Sequence, residues 1–180
     1  METERQLIES IRRGEPSARR RLYERFAGVA LATALRYVPR QDEALDVVQD
    51  AFVSILTSVS RFQLRSEGSL KAWVLTIVAH HAVDYIKQHE RLLFTDHLPE
   101  QATEEEPDVG LIPPEVLNRL IGQLPTGYRT VLNLYVFQQL SHKEIACLLG
   151  IKPETSASQY LRAKQALARL IKNYQDNNKL

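Results

Sequence analysis

Lys152, Thr155, Ser156, Ser158, Gln159, Arg162 and Lys164 crowd into one stretch, SHKEIACLLGIKPETSASQYLRAKQALARL (141–170). These groups suit phosphates and base edges better than bond-breaking: Gln is matched to adenine, and the small Ala157 and Ala163 permit close approach, Ala being able to touch a thymine methyl. Arg169 and Lys172 read more plainly as a solvated basic face. A second set is Asp42, Asp46 and Asp50, which at i, i+4, i+8 share one helix face with Gln49 beside them. Three carboxylates could hold a metal, but no His falls on that helix to complete a usual ligand set, so a solvated or docking face is the better reading. The third set is His80, His81 and Asp84. Consecutive helical residues lie about 100° apart, so one face cannot hold both histidines, and His81 with Asp84 at i, i+3 predicts a simple hydrogen bond.

No catalytic residue and no cofactor site is predicted. There is no nucleophile–base pair and no phosphate-cradling glycine loop in a chain with seven glycines. The single cysteine, Cys147, excludes an internal disulfide framework and has no zinc-site spacing.

The elements that position the first set are legible. Ser141 and Glu144 form an S-x-x-E capping box, and Ile145, Leu148 and Leu149 give the helix that follows one apolar face. Gly150 tolerates positive φ at a helix end, and Pro153 suits the first turn of the next helix. Two helices joined this way make a helix-turn-helix, whose second helix enters the DNA major groove.

The fold class expected is all-α: two small helical domains joined by a flexible acidic linker, the C-terminal one containing the helix-turn-helix. The domains are 1–91, 92–114 (linker) and 115–180. With 180 residues, 44% hydrophobic and 25% charged, the chain has an ordinary globular composition. Its net charge of +1 hides an asymmetry. Residues 1–91 carry 14 basic and 12 acidic side chains, 92–118 carry 7 acidic and none basic, and 119–180 carry 9 basic and 3 acidic. A polyanion is drawn to the third segment and repelled by the second. No apolar run is long enough to span a bilayer, and METERQLIESIRRGE is too charged for a signal peptide, so no membrane insertion and a cytoplasmic location are expected.

In the first module, Leu7, Ile8 and Ile11 predict a short helix ending near Gly14. Pro16 and Ser17 start a second, with Leu22, Phe26, Val29, Ala30, Ala34 and Tyr37 at helical spacing before Pro39. Asp42 is expected to cap a third through Leu45, Val48, Phe52, Ile55, Leu56 and Val59. RFQLRSEG (61–68) breaks the pattern as a loop, and Ser69 is expected to cap a fourth helix to about His89. Residues 94–114, with Glu104, Glu105, Glu106 and three prolines near the end, lack an apolar face and read as a linker. The second module opens with a short helix near Glu115, then a helix over 127–137 after Pro125, before the helix-turn-helix. Its expected packing residues are Leu132, Leu134, Tyr135, Ile145, Leu148, Ile151, Tyr160, Leu167 and Leu170, with Tyr128 and Arg129 setting the packing of their helix rather than touching DNA.

Three tracts in order, DEALDVVQDAFVSIL, SLKAWVLTIVAHHAVDYIK and LPTGYRTVLNLYVFQQLSHKEIACLLGIKPETSASQYLRAKQALARL, resemble the extracytoplasmic-function (group IV) sigma factors of bacterial RNA polymerase, over about residues 22–170. The resemblance implies that Asp42, Asp46, Gln49 and Asp50 face core RNA polymerase. It implies that Phe62, Gln63, Arg65, Ser66, Lys71, His80 and Lys87 serve the promoter element near the start site, where opening needs an aromatic pocket, polar groups for a base edge and cations for the backbone. Trp73, among Leu70, Val74 and Ile77, reads as core. The resemblance also implies that Lys152, Thr155, Ser156, Ala157, Ser158, Gln159, Arg162 and Lys164 serve the distal promoter element, and that an anti-sigma factor restrains the chain. The chain departs from the family pattern at His80, where Asn is usual, and at Thr76 and Ala79, where basic residues are common. It departs also at Ser156 and Ala157, where valine and a basic residue are common, so a different promoter preference is expected.

The alternative is a stand-alone helix-turn-helix transcriptional regulator, which predicts a ligand-binding or dimerising domain in residues 1–91. Neither a pocket signature nor a βαβ pattern is present there. A helical scaffold or enzyme is a third reading, unsupported by any reactive pair.

Overall fold

The computed structural model describes residues 2–89 and 112–178. Most of the expected linker, together with residues 90 and 91, lies outside them. The described residues form eight α-helices and one short 3₁₀ turn, with no strand among them: α1 (Glu4–Arg12), α2 (Ala18–Tyr37), α3 (Gln41–Ser58), the 3₁₀ turn Val59–Arg61, α4 (Ser69–His89), α5 (Pro114–Gly122), α6 (Thr126–Val136), α7 (His142–Leu149) and α8 (Pro153–Asn177). The chain divides into two compact units, Met1–Tyr85 and Ile86–Leu180.

In the first unit, α1 starts at a capping box that joins Thr3 to Gln6: the Gln6 amide donates to Thr3 Oγ1 (3.2 Å) and the Thr3 amide to Gln6 Oε1 (2.9 Å). Gly14, with φ +74°, ends that segment where the sequence places the break. Helix α2 packs on α1 and α3, and α3 continues into the 3₁₀ turn against α1. Leu7, Leu22, Ala30, Ala34, Tyr37, Ile55, Leu70 and Val74 are wholly buried, and Phe26, Val48 and Phe52 nearly so. Burying a side chain of the Leu or Phe class contributes about 1.5–3 kcal/mol, which is what draws these four helices together.

Two cap expectations need correction. Helix α3 begins one residue before Asp42, with Arg40 at the cap position, so Asp42 lies in the first turn and binds the Arg40 guanidinium instead. Helix α2 starts where Pro16 and Ser17 place it, with Ser17 at the cap position and no side-chain cap bond. Ser69 is already helical; its hydroxyl accepts from the Arg65 and Ser66 amides and donates to the Ser66 carbonyl, closing the turn before α4 rather than capping it.

In the second unit α5, α6 and α7 each pack on α8. One cluster holds Ile121, Leu124, Leu132 and Ala163 with Tyr160 and Leu167 against it, and a second holds Ile112, Leu120 and Ile171. Arg129 is 5% exposed and donates to the carbonyls of Leu124 (2.8 Å) and Gly122 (3.3 Å), so it satisfies acceptors left over at the α5–α6 turn. Leu132, Leu134 and Ile145 are buried as expected; Tyr135 is not, at 37% exposed.

Candidate nucleic-acid interface

The outward face of α3 carries Asp42, Asp46, Gln49 and Asp50, all exposed. Leu45 (40% exposed) stands among them and Val53 (68%) one turn beyond. Leu45 was expected in the core because its spacing fits; it is instead an apolar member of the acidic face. Arg40 lies over one end, at 2.7 Å from Asp42 and 3.2 Å from Glu43, and its hydrogen bond holds the Asp42 carboxyl below the usual carboxylate range. Asp46 and Asp50 make no ion pair among the described residues, so their charge is available to a partner.

The loop after the 3₁₀ turn and the exposed side of α4 form a second surface. Phe62 and Trp73 pack at 4.9 Å between ring centroids, both half-buried. Trp73 is therefore only partly core, because α4 turns one of its faces toward Phe62 rather than toward the interior. Gln63, Arg65, Ser66 and Lys71 are exposed around this pair. Thr76, His80, Asp84 and Lys87 continue as exposed residues along α4, with Asp84 set between His80 and Lys87. His81 does not pair with Asp84: its Nε2 lies 2.9 Å from Ser54 Oγ, joining α4 to α3. Among the described residues no three His, Cys, Asp or Glu side chains converge as metal ligands would.

The helix-turn-helix is built as its caps require. The Glu144 amide donates to Ser141 Oγ (3.3 Å) and the Ser141 amide to Glu144 Oε2 (2.8 Å). The Ser141 hydroxyl and amide together hold the Glu144 carboxyl below its ordinary range. Helix α7 closes at Gly150 in the left-handed region, φ 68° and ψ 35°, with the Ile151 amide donating to the Ala146 carbonyl (3.0 Å). Pro153 occupies the first turn of α8. His142 then fastens α7 to α8: Nδ1 lies 3.0 Å from Ser156 Oγ, and its ring stacks on Tyr135 at 4.6 Å. Tyr135 in turn lies 4.3 Å from Tyr160, over which Lys164 Nζ sits at 5.2 Å.

Among the residues expected to meet DNA here, Lys152 and Ala157 are exposed, and Thr155, Ser158 and Lys164 are half-buried. Ser156, Gln159 and Arg162, at i, i+3, i+6, are buried, and Ser156 has its hydroxyl engaged by His142. Sequence reasoning passed over His142; its place one residue after a cap, opposite the start of α8, was the available signal. It also passed over Glu4 and Arg12, which hold the loop before α4 from a helix distant in sequence.

Comparison with known proteins agrees with this architecture. The model of sigma-70 region 2 matches residues 22–92, and that of sigma-70 region 4 matches residues 115–167. The chain is 25% identical over 184 residues to the RNA polymerase sigma-H factor of Pseudomonas aeruginosa, covering 94% of each protein. It is 27% identical over 142 residues to the ECF RNA polymerase sigma factor SigE of Mycolicibacterium smegmatis, covering 74% of this chain and 54% of that one. The solved structure of CnrH in complex with the cytosolic domain of CnrY shares the fold, with a TM-score of 0.50 and 24% identity over 96% of this chain and 99% of that one. No described helix is long and apolar enough to cross a membrane. With region 2 and region 4 following one another across a helical chain that ends in a helix-turn-helix, this protein belongs to the sigma-70 family, and within it to the extracytoplasmic-function sigma factors.

Proposed function

We propose that the chain binds core RNA polymerase and directs promoter-specific initiation of transcription, performing no covalent chemistry itself and working in the cytoplasm. One observation carries the reading: region 2 and region 4 matches occur in a single chain, in that order, on residues 22–92 and 115–167. Residues 1–91 bind polymerase and the near promoter element, 92–114 connect, and 115–180 bind the distal element.

The α3 face is the proposed polymerase contact. Asp46 and Asp50 steer a basic surface, and the exposed Leu45 and Val53 supply the apolar area that charge alone lacks. Phe62, Gln63, Arg65, Ser66 and Lys71, with His80 and Lys87 along α4, serve the near element: an aromatic pair for stacking, an amide for a base edge and cations for the backbone. Asp84 between His80 and Lys87 weakens the attraction of that stretch for phosphates. Lys152, Thr155, Ala157, Ser158 and Lys164 serve the distal element, while the buried Ser156, Gln159 and Arg162 hold the helix that presents them. A cytosolic anti-sigma partner is proposed by likeness to CnrH, which was solved with the cytosolic domain of CnrY.

The test is co-elution with bacterial core RNA polymerase, wild type beside Asp46→Arg/Asp50→Arg. Wild type co-elutes and the charge-reversed form does not. If both co-elute, the docking face is wrong although the polymerase role stands. If neither binds while both remain folded, the chain acts without polymerase and the initiation reading fails.

A further inference from the structure

The loop assigned above to the near promoter element is held at both ends by α1, which lies before the region 2 match that begins at residue 22. At the downstream end, Glu4 is 2% exposed, and its carboxylate accepts from the amides of Gly68 (2.9 Å), Leu70 (3.0 Å) and Lys71 (3.1 Å). The Leu70 and Lys71 amides are leading donors of α4, which lack intrahelical partners, and the Gly68 amide stands just before them. The residue before α4 is Gly68, with φ +88° and no side chain to cap with, so the cap comes from another helix. A carboxylate there also meets the positive end of the helix dipole. The arrangement is reciprocal: Glu67 Oε1 accepts from the Glu4 amide (3.2 Å), so each helix receives a carboxylate from the other's start. Arg25 lies 3.8 Å from the same Glu67 oxygen.

At the upstream end, Arg12 donates through Nε to the Ser60 carbonyl (3.1 Å) and through Nη2 to the Phe62 carbonyl (2.7 Å). Glu4 and Arg12 stand eight residues apart on one helix, about 12 Å along its axis. Helix α1 is thus a splint with one side chain on each flank of the loop. Gln63, Arg65 and Ser66 lie exposed between the two anchors, and Gln63 and Leu64 share an open pocket with Arg5, Ile8, Glu9 and Arg12 of α1.

We propose that Glu4 and Arg12 are positioning residues that set near-element specificity by fixing the loop's path, an inference that rests on reading this loop as the near-element contact. A loop that reads an unstacked base must present its groups to within a fraction of an ångström, and a loop with free ends would contact many bases equally well.

Two measurements test this on the full chain. Amide hydrogen exchange at Gly68, Leu70 and Lys71 rises about tenfold or more in Glu4→Gln, through loss of charge-assisted bonds, while amides of α2 and α3 stay protected. Transcription with core RNA polymerase from a promoter library randomised across the near element then reads specificity. Arg12→Ala, at an exposed residue whose removal leaves the core intact, and Glu4→Gln both flatten the preference by about tenfold, while co-elution with polymerase is unchanged. A general loss of stability lowers all promoters together and leaves the preference as it was. Unchanged exchange, or an unchanged preference in both variants beside a sharp wild-type profile, overturns the splint. A flat wild-type profile despite polymerase binding overturns the near-element reading of the loop, and the splint's role with it.

Discussion

Gly28 and Gly150 allow a paired experiment in which one substitution has opposite signs at two sites. A Cβ added at either glycine meets nothing within 4 Å, so neither Ala variant clashes with a neighbour. The difference is in the backbone alone. Gly28 lies within α2, where Ala replaces the poorest non-proline helix former and gains about 0.8–1 kcal/mol. Gly150 has φ +68°, where an L-side chain costs about 1–2 kcal/mol, offset in part by the smaller unfolded-state entropy of Ala. Gly28→Ala therefore stabilises by about 1 kcal/mol and Gly150→Ala destabilises by about 1 kcal/mol. At a urea dependence of about 1–3 kcal/mol per M, the two midpoints separate by about 1 M. Far-UV circular dichroism follows the unfolding, and hydrogen exchange of α2 and α7 amides assigns each transition to its helix. A neutral or stabilising Gly150→Ala, or a destabilising Gly28→Ala, refutes the backbone account at that site and shows that packing governs it instead.

Two further outcomes concern the second unit. Because the folded pKa of Glu144 is depressed, the stability it contributes is present above its ordinary value of 4.5 and is lost as pH falls through the lower folded value. Glu144→Gln, compared with wild type in denaturation series from pH 6 to about pH 3, lessens the slope by the share of Glu144, since depressed carboxylates such as Asp42 contribute in both proteins; a slope identical to wild type excludes the capping box as a source. Arg129→Ala leaves the buried Leu124 carbonyl and the half-buried Gly122 carbonyl without this donor and costs about 1–3 kcal/mol in urea unfolding. A cost under about 1 kcal/mol shows that other donors serve those carbonyls.

The elements legible in the sequence were those whose determinants are close together in it. Ser141 with Glu144, Gly150 and Pro153 act within a few residues of their partners, and α7 and α8 stand where those residues put them. Leu45 shows the limit of periodicity: its spacing fits a core position and an apolar docking residue equally, and only the placement of α2 and α4 separates them. Asp42 and Ser69 are good cap residues in isolation, but in each case a nearby group changed the outcome: Arg40 bound the Asp42 carboxylate, and Glu4 reached the amides of α4 first. Glu4 could not be found from local pattern, since its partners lie more than sixty residues on. The same holds for His81, whose partner Ser54 belongs to another helix. For α8, residue type identified groups suited to DNA but could not foretell that Ser156, Gln159 and Arg162 would be buried.

Trp73 is the chain's single tryptophan, and it lies against Phe62 at the start of the exposed loop. The molecule therefore carries its own optical label at one defined place. Indole emission responds to the polarity around the ring and is quenched by stacking against a nucleobase, so excitation near the red edge of protein absorption reports on this loop and on no other part of the chain. Rapid-mixing fluorescence could time the arrival of a DNA strand at the loop without a dye, a cysteine tag or any change to the sequence.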